Sequence, residues 1–220
     1  MYAYLIAEWR EWEHRRLGAS AVIFALAGAL GLSFAYLQPL ALGAAGSAAS
    51  IAAGWISANR FKPDFGQRLI LERSALGRPA LAGARFLSAS ASFVLGALVL
   101  SPALAMVARA WDIGPASLAA ALLVWLGAYL LAMSGAFLSG IAFGRTDRPV
   151  GAYALLAWMV PSSLWPPARA FNPFLRASAA LARGEAARAA ACSLAEIAAS
   201  GLLVAAAVAL ADSSRRAKRG

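Results

Sequence analysis

Apolar residues run along this chain in blocks of about twenty, the length a helix needs to cross a hydrocarbon core about 30 Å thick. Six such blocks stand between charges or prolines: Leu17–Leu37, Pro39–Ala58, Phe86–Ala108, Ser117–Phe143, Val150–Trp165 and Cys192–Ala211. Only Gln38 and Pro39 separate the first two, which predicts a tight hairpin, and the polar link "RAWDIGP" separates the third from the fourth. The fifth is short and runs into Pro161, Pro166 and Pro167, which predicts a broken span.

The segments between the blocks carry their own periodicity. In residues 1–16, Tyr2, Leu5, Ile6, Trp9 and Trp12 share one helical face, whereas Glu8, Arg10, Glu11 and Arg15 lie largely elsewhere. That spacing predicts an amphipathic helix in the membrane interface with its tryptophans at headgroup depth. A charged leader followed by six spans does not read as a cleaved signal peptide. The longest polar connection, Asn59–Arg85, contains "GQRLILERSALG". There Leu69, Ile70 and Leu76 offer an apolar face and Gln67, Arg68, Glu72 and Arg73 a polar one, between Gly66 and Gly77. This predicts a short amphipathic helix that docks a soluble partner or rests on lipid.

Before the last block stands "FNPFLRASAALARG". Asn172 suits a helix N-cap, Pro173 the first turn, with Phe174 next, and Gly184 the end. Arg176 and Arg183, two turns apart, would share a face and reach toward headgroups. The pattern predicts a short outer or re-entrant helix. In the second block Gly43, Ser47, Ser50 and Gly54 align as a smooth stripe that suits close helix packing, within the chain or between subunits.

Composition agrees with the block pattern: 61% of the 220 residues are hydrophobic and 14% charged, with a mean hydropathy of +0.67. Soluble domains hold roughly 45 to 50% apolar residues. The fold class is therefore an all-α membrane protein, a single transmembrane domain over residues 1–220. If both termini are cytoplasmic, fifteen of the 20 Lys and Arg fall on the inner side, the arrangement that positive-inside topology favours. The net charge of +10 then reflects topology, and with no single basic stripe nucleic acid is not a predicted partner.

Candidate chemistry is sparse. His14 is the one histidine and sits in the leader, so Ser134 of "MSGAF" has no intramembrane base and no histidine-based metal cluster can form. Cys192 is alone, and no G-x-x-x-x-G-K-[ST] phosphate loop occurs. Glu196, read as one turn into the last span, stands out as an intramembrane acid. It is expected to pair with an outer arginine such as Arg188, or else to line a pathway.

Taken together, an interfacial leader helix, a helical cytoplasmic connection after the second span and a short helix before the sixth resemble the membrane subunit of a type-2 ABC exporter. Two motifs carry the resemblance: "GQRLILERSALGRPALAGAR", led by Gly66, and the Asn172-Pro173-Phe174 helix ending at Gly184. Gln67 and Ala75 stand where many members have threonine and proline. The resemblance implies a dimer of permease subunits in a bacterial inner membrane, each docked to a cytoplasmic ABC ATPase through Gly66, Gln67, Arg68, Leu69, Ile70, Glu72 and Arg73. ATP and Mg would belong to that partner, with no cofactor or catalysis in this chain. A non-catalytic membrane scaffold and a secondary transporter are the competing readings. Scarce mid-span acids weigh against the secondary transporter, as internal inverted repeats would weigh for it.

Overall fold

The computed structural model describes residues 41–58, 78–142, 165, 167 and 172–216, and every extended element among them is helical. They are α1 (Ala41–Ala58), α2 (Arg78–Ala110), α3 (Pro115–Ala142), α4 (Pro173–Ala182) and α5 (Ala186–Arg216). The expected leader helix, the first and fifth spans and the Gly66–Leu76 helix lie outside the described residues.

Among the described residues, three stretches are long and apolar enough to cross a membrane: Phe93–Ala110, Pro115–Gly135 and Ala186–Ala209. They correspond to the third, fourth and sixth blocks, while the second block forms the 18-residue α1. Their outer surfaces are as apolar as their packed ones. On α2, Phe93, Leu100, Leu104 and Val107 are buried, yet Val94, Leu95, Leu98, Val99 and Met106 are exposed. Water would disfavour such a flank; lipid does not. The chain is thus a multi-pass membrane protein, helical throughout the elements described.

α2 departs from its expected start. The chain is already helical at Arg78, eight residues before the apolar block, because Pro79 suits a first turn and the following alanines and Leu81 favour helix. Pro102 interrupts its backbone ladder by withholding an N–H from the carbonyl of Leu98. The Ser101 hydroxyl donates to that same carbonyl at 2.7 Å, so the orphaned acceptor is satisfied inside the span.

α2 reverses into α3 through four residues. Asp112 adopts φ 49°, the left-handed conformation that an Asp tolerates better than most residues. The amide of Ile113 then donates back to the carbonyl of Ala108 at 2.8 Å, closing the helix end in a Schellman arrangement. About five turns away the rings of Phe93 and Tyr129 meet at 5.4 Å, which fixes the two helices as an antiparallel pair.

α3 is the centre of the bundle. Trp125, Tyr129 and Met133 are its largest fully buried side chains, and α1 and α5 make the most extensive contacts with it. α1 reaches it through glycine. A Cβ at Gly46 would fall on the Trp125 indole, and one at Gly54 on the carbonyl oxygen of Tyr129. The stripe of the second block, with Ser47, Ser50 and Gly54 buried, therefore packs inside this chain. Because Gly54 meets backbone, Gly54→Ala should cost about 1–3 kcal/mol by forcing α1 and α3 apart. Gly201, with open space around it, is the control. Thermal unfolding in mild detergent should show a clear loss for Gly54→Ala and none for Gly201→Ala.

Candidate functional site

Polar side chains gather on the inward faces of this apolar bundle. On α5, Ala189, Ser193, Glu196, Ser200 and Ala207 are buried, a face of small and polar residues, whereas Leu194 and Leu202 point outward. The hydroxyls of that face are satisfied by their own helix: Ser193 donates to the Ala189 carbonyl at 2.9 Å and Ser200 to that of Ile197 at 2.6 Å. Ser134 on α3 likewise donates to the Leu130 carbonyl at 2.7 Å, so its hydrogen is committed to the helix backbone.

Glu196 is the exception. It is 3% exposed, and neither carboxylate oxygen has a hydrogen-bond partner among the described residues. Its carboxyl lies against Gly127 of α3, where a Cβ would stand 2.6 Å from Oε2 and 3.2 Å from the Ser193 carbonyl oxygen. The glycine leaves the volume that the carboxyl fills. Ser50 of α1 is a second buried polar group without a partner among the described residues.

The depth of Glu196 differs from the sequence expectation. α5 begins at Ala186, not near Cys192, because Glu185 ends the preceding turn and its carbonyl accepts from the Ala189 amide at 2.9 Å. An alanine-rich run then carries the helix forward without a break. Glu196 is consequently the eleventh of 24 residues in the apolar stretch Ala186–Ala209, near its middle. Arg188 is engaged elsewhere, since its guanidinium reaches Glu185 at 3.0 Å. The expected pairing of Arg188 with Glu196 is replaced by one at the helix start.

The segment before the last span folds as its sequence predicts. Asn172 is fully buried at the N-cap of α4, where its Oδ1 accepts from the Leu175 amide at 3.3 Å, with Pro173 and Phe174 in the first turn. Gly184 ends the helix at φ +76°. Its amide donates to the Leu181 carbonyl, and that of Glu185 to the Ala180 carbonyl, each at 3.0 Å, another Schellman end. One face of α4 is sunk in the bundle: Ala177 and Ala180 are buried, and Ser178 hydrogen-bonds Ser47 of α1 across 3.0 Å. Arg176 and Arg183 lie on the exposed face.

Of the residues that sequence reasoning assigned to partner coupling, Gly66, Gln67, Arg68, Leu69, Ile70, Glu72 and Arg73 lie outside the described residues. Sequence reasoning missed the setting of Glu196. Ser193, Glu196 and Ser200, spaced three and four apart, formed a legible polar stripe, whereas Gly127 carried no signal of its own. No protein-family model, curated protein or solved structure matches this chain.

The turn between α4 and α5 concentrates charge. Glu185 accepts from Arg183 Nε at 2.9 Å and from Arg188. The hydrogen bond from Arg183, then that from Arg188, holds its carboxyl below the ordinary value of 4.5. A depressed value means that the stability this group lends is present above 4.5 and is lost as the pH falls through the folded-state value. An NMR titration of the Glu185 carboxyl carbon should give a midpoint below 4.5, and Arg183→Ala should move it upward.

Proposed function

We propose that this chain is the membrane-spanning subunit of an ATP-driven exporter, resembling the type-2 ABC permeases, and is not itself catalytic. The observation that supports the reading is α4, a short, Asn172-capped helix packed against α1 and α5 just before α5 begins, where the resemblance expects an outer or re-entrant element. The all-helical, multi-pass architecture is consistent with it. In this reading two permease subunits form the path in a bacterial inner membrane, with both termini of each in the cytoplasm. A separate ATPase holds ATP and Mg and docks on the Gly66–Leu76 segment through Gln67, Arg68, Glu72 and Arg73. Nucleotide-driven approach of the ATPases is transmitted to the spans as alternating access.

A second reading, a secondary transporter, gains support from one observation: Glu196 supplies the mid-span acid that ion coupling requires. Affinity purification of the tagged protein in mild detergent separates the two. The ATPase reading predicts co-elution of a soluble phosphate-loop protein with nucleotide hydrolysis. Alanine at Gln67, Arg68, Glu72 and Arg73 together should reduce the permease-stimulated rate about tenfold or more, the scale on which a lost docking interaction is felt. Unaltered coupling in that variant would remove the docking assignment. Recovery of membrane proteins alone, without hydrolysis, would point to a scaffold, and uptake driven by an imposed ion gradient without any ATPase to a secondary transporter.

A further inference from the structure

An acid in the middle of a membrane helix keeps its charge only where something compensates it, and the surroundings of Glu196 can be followed element by element. α3, which provides Gly127 at its carboxyl, contains no Asp, Glu, Lys, Arg or His in its 28 residues; Tyr129 is its titratable side chain. α4 brings Arg176, which is exposed, and Arg183, at its C-cap, which is bound to Glu185. α2 touches α5 only lightly, and its basic residues are Arg78, Arg85 and Arg109. Arg109 is exposed at the last turn, and the other two precede the apolar stretch Phe93–Ala110. α1 contains no charged residue.

On α5 itself, Arg188 is held by Glu185, Cys192 lies one turn away, and Asp212, Arg215 and Arg216 lie beyond the apolar stretch. No basic side chain among the described residues is therefore placed to neutralise Glu196. Nor does a hydroxyl among the described residues donate to either carboxylate oxygen, those of Ser193 and Ser200 on the same helix face being given to backbone carbonyls. The cradle is also closed: both carboxylate oxygens are buried, and Oε2 fills the space left by the missing side chain of Gly127.

We propose that Glu196, seated on Gly127, is a proton-binding site at mid-membrane, carrying one exchangeable proton on its carboxyl. The proton removes the uncompensated charge, and the protonated oxygen gains a donor that can turn toward the nearby Ser193 carbonyl. The assignment rests on the seat of Glu196 against Gly127 and on the charged groups of the surrounding described helices, and it holds whether ATP or an ion gradient drives the bundle.

Infrared difference spectroscopy of the full chain, reconstituted in vesicles of zwitterionic lipid, tests it. Spectra would be taken between about pH 5 and about pH 9, above the ordinary Glu value of about 4.3, so that an unperturbed carboxyl is already largely ionised throughout. The wild type should show the carbonyl stretch of an undissociated carboxylic acid that is lost reversibly on alkalinisation, shifts in heavy water and is missing from Glu196→Gln. Gly127→Ala retains the acid but takes away its space, and should displace both the band and its pH midpoint while circular dichroism remains helical. Identical spectra for wild type and Glu196→Gln, both helical, would overturn the assignment. So would a Glu196 band that neither pH nor heavy water changes, or one that Gly127→Ala leaves in place. Should Glu196→Gln fail to fold, the Gly127→Ala comparison decides.

Discussion

Close approach to α3 is the constraint on which the bundle depends. Lipid tails are as apolar as leucine, so burying large side chains supplies little drive between helices in a membrane. Packing and backbone proximity must supply it. The chain meets that demand with absent side chains. Gly46 admits the Trp125 indole, Gly54 admits the backbone at Tyr129, and Gly127 admits the Glu196 carboxyl. α2, by contrast, touches the other described helices only slightly, and does so with longer side chains such as Phe93 and Leu100.

The same constraint orders the polar groups. Every backbone or side-chain donor facing hydrocarbon needs a partner close at hand. Ser134, Ser193 and Ser200 return their hydrogens to carbonyls of their own helix, Ser101 covers the acceptor that Pro102 abandons, and the two Schellman ends close α2 and α4 without outside help. Glu196 is conspicuous because this local economy fails there. Its surroundings are shaped for it sterically and not electrostatically.

The third, fourth and sixth apolar stretches were legible because they depend on block length, and the 28-residue α3 matches its block almost to the residue. The α4 cap was legible because Asn, Pro and Gly act through local backbone chemistry at fixed offsets. Helix ends fixed by alanine were not. Alanine favours helix on either side of a membrane boundary, so hydropathy marked the apolar block of α2 and not its helical start, and it began α5 late, which put Glu196 one turn into a helix that has in fact run for ten residues before it. Which glycine faces the acid depends on the register of two distant helices, and no pattern within either one reports it.

The length of α2 has a geometric consequence. Its 33 residues make a rod of about 50 Å. Lying wholly within a core of about 30 Å would require a tilt of about 53°, beyond the range of roughly 0 to 40° seen for membrane helices. With the hairpin at Trp111 to Gly114 anchoring one end near a boundary, at least the first two turns after Arg78 must emerge on the opposite side as a rigid helical stalk. The membrane domain thereby offers that compartment a helical projection continuous in backbone with the part of α2 that contributes to the core.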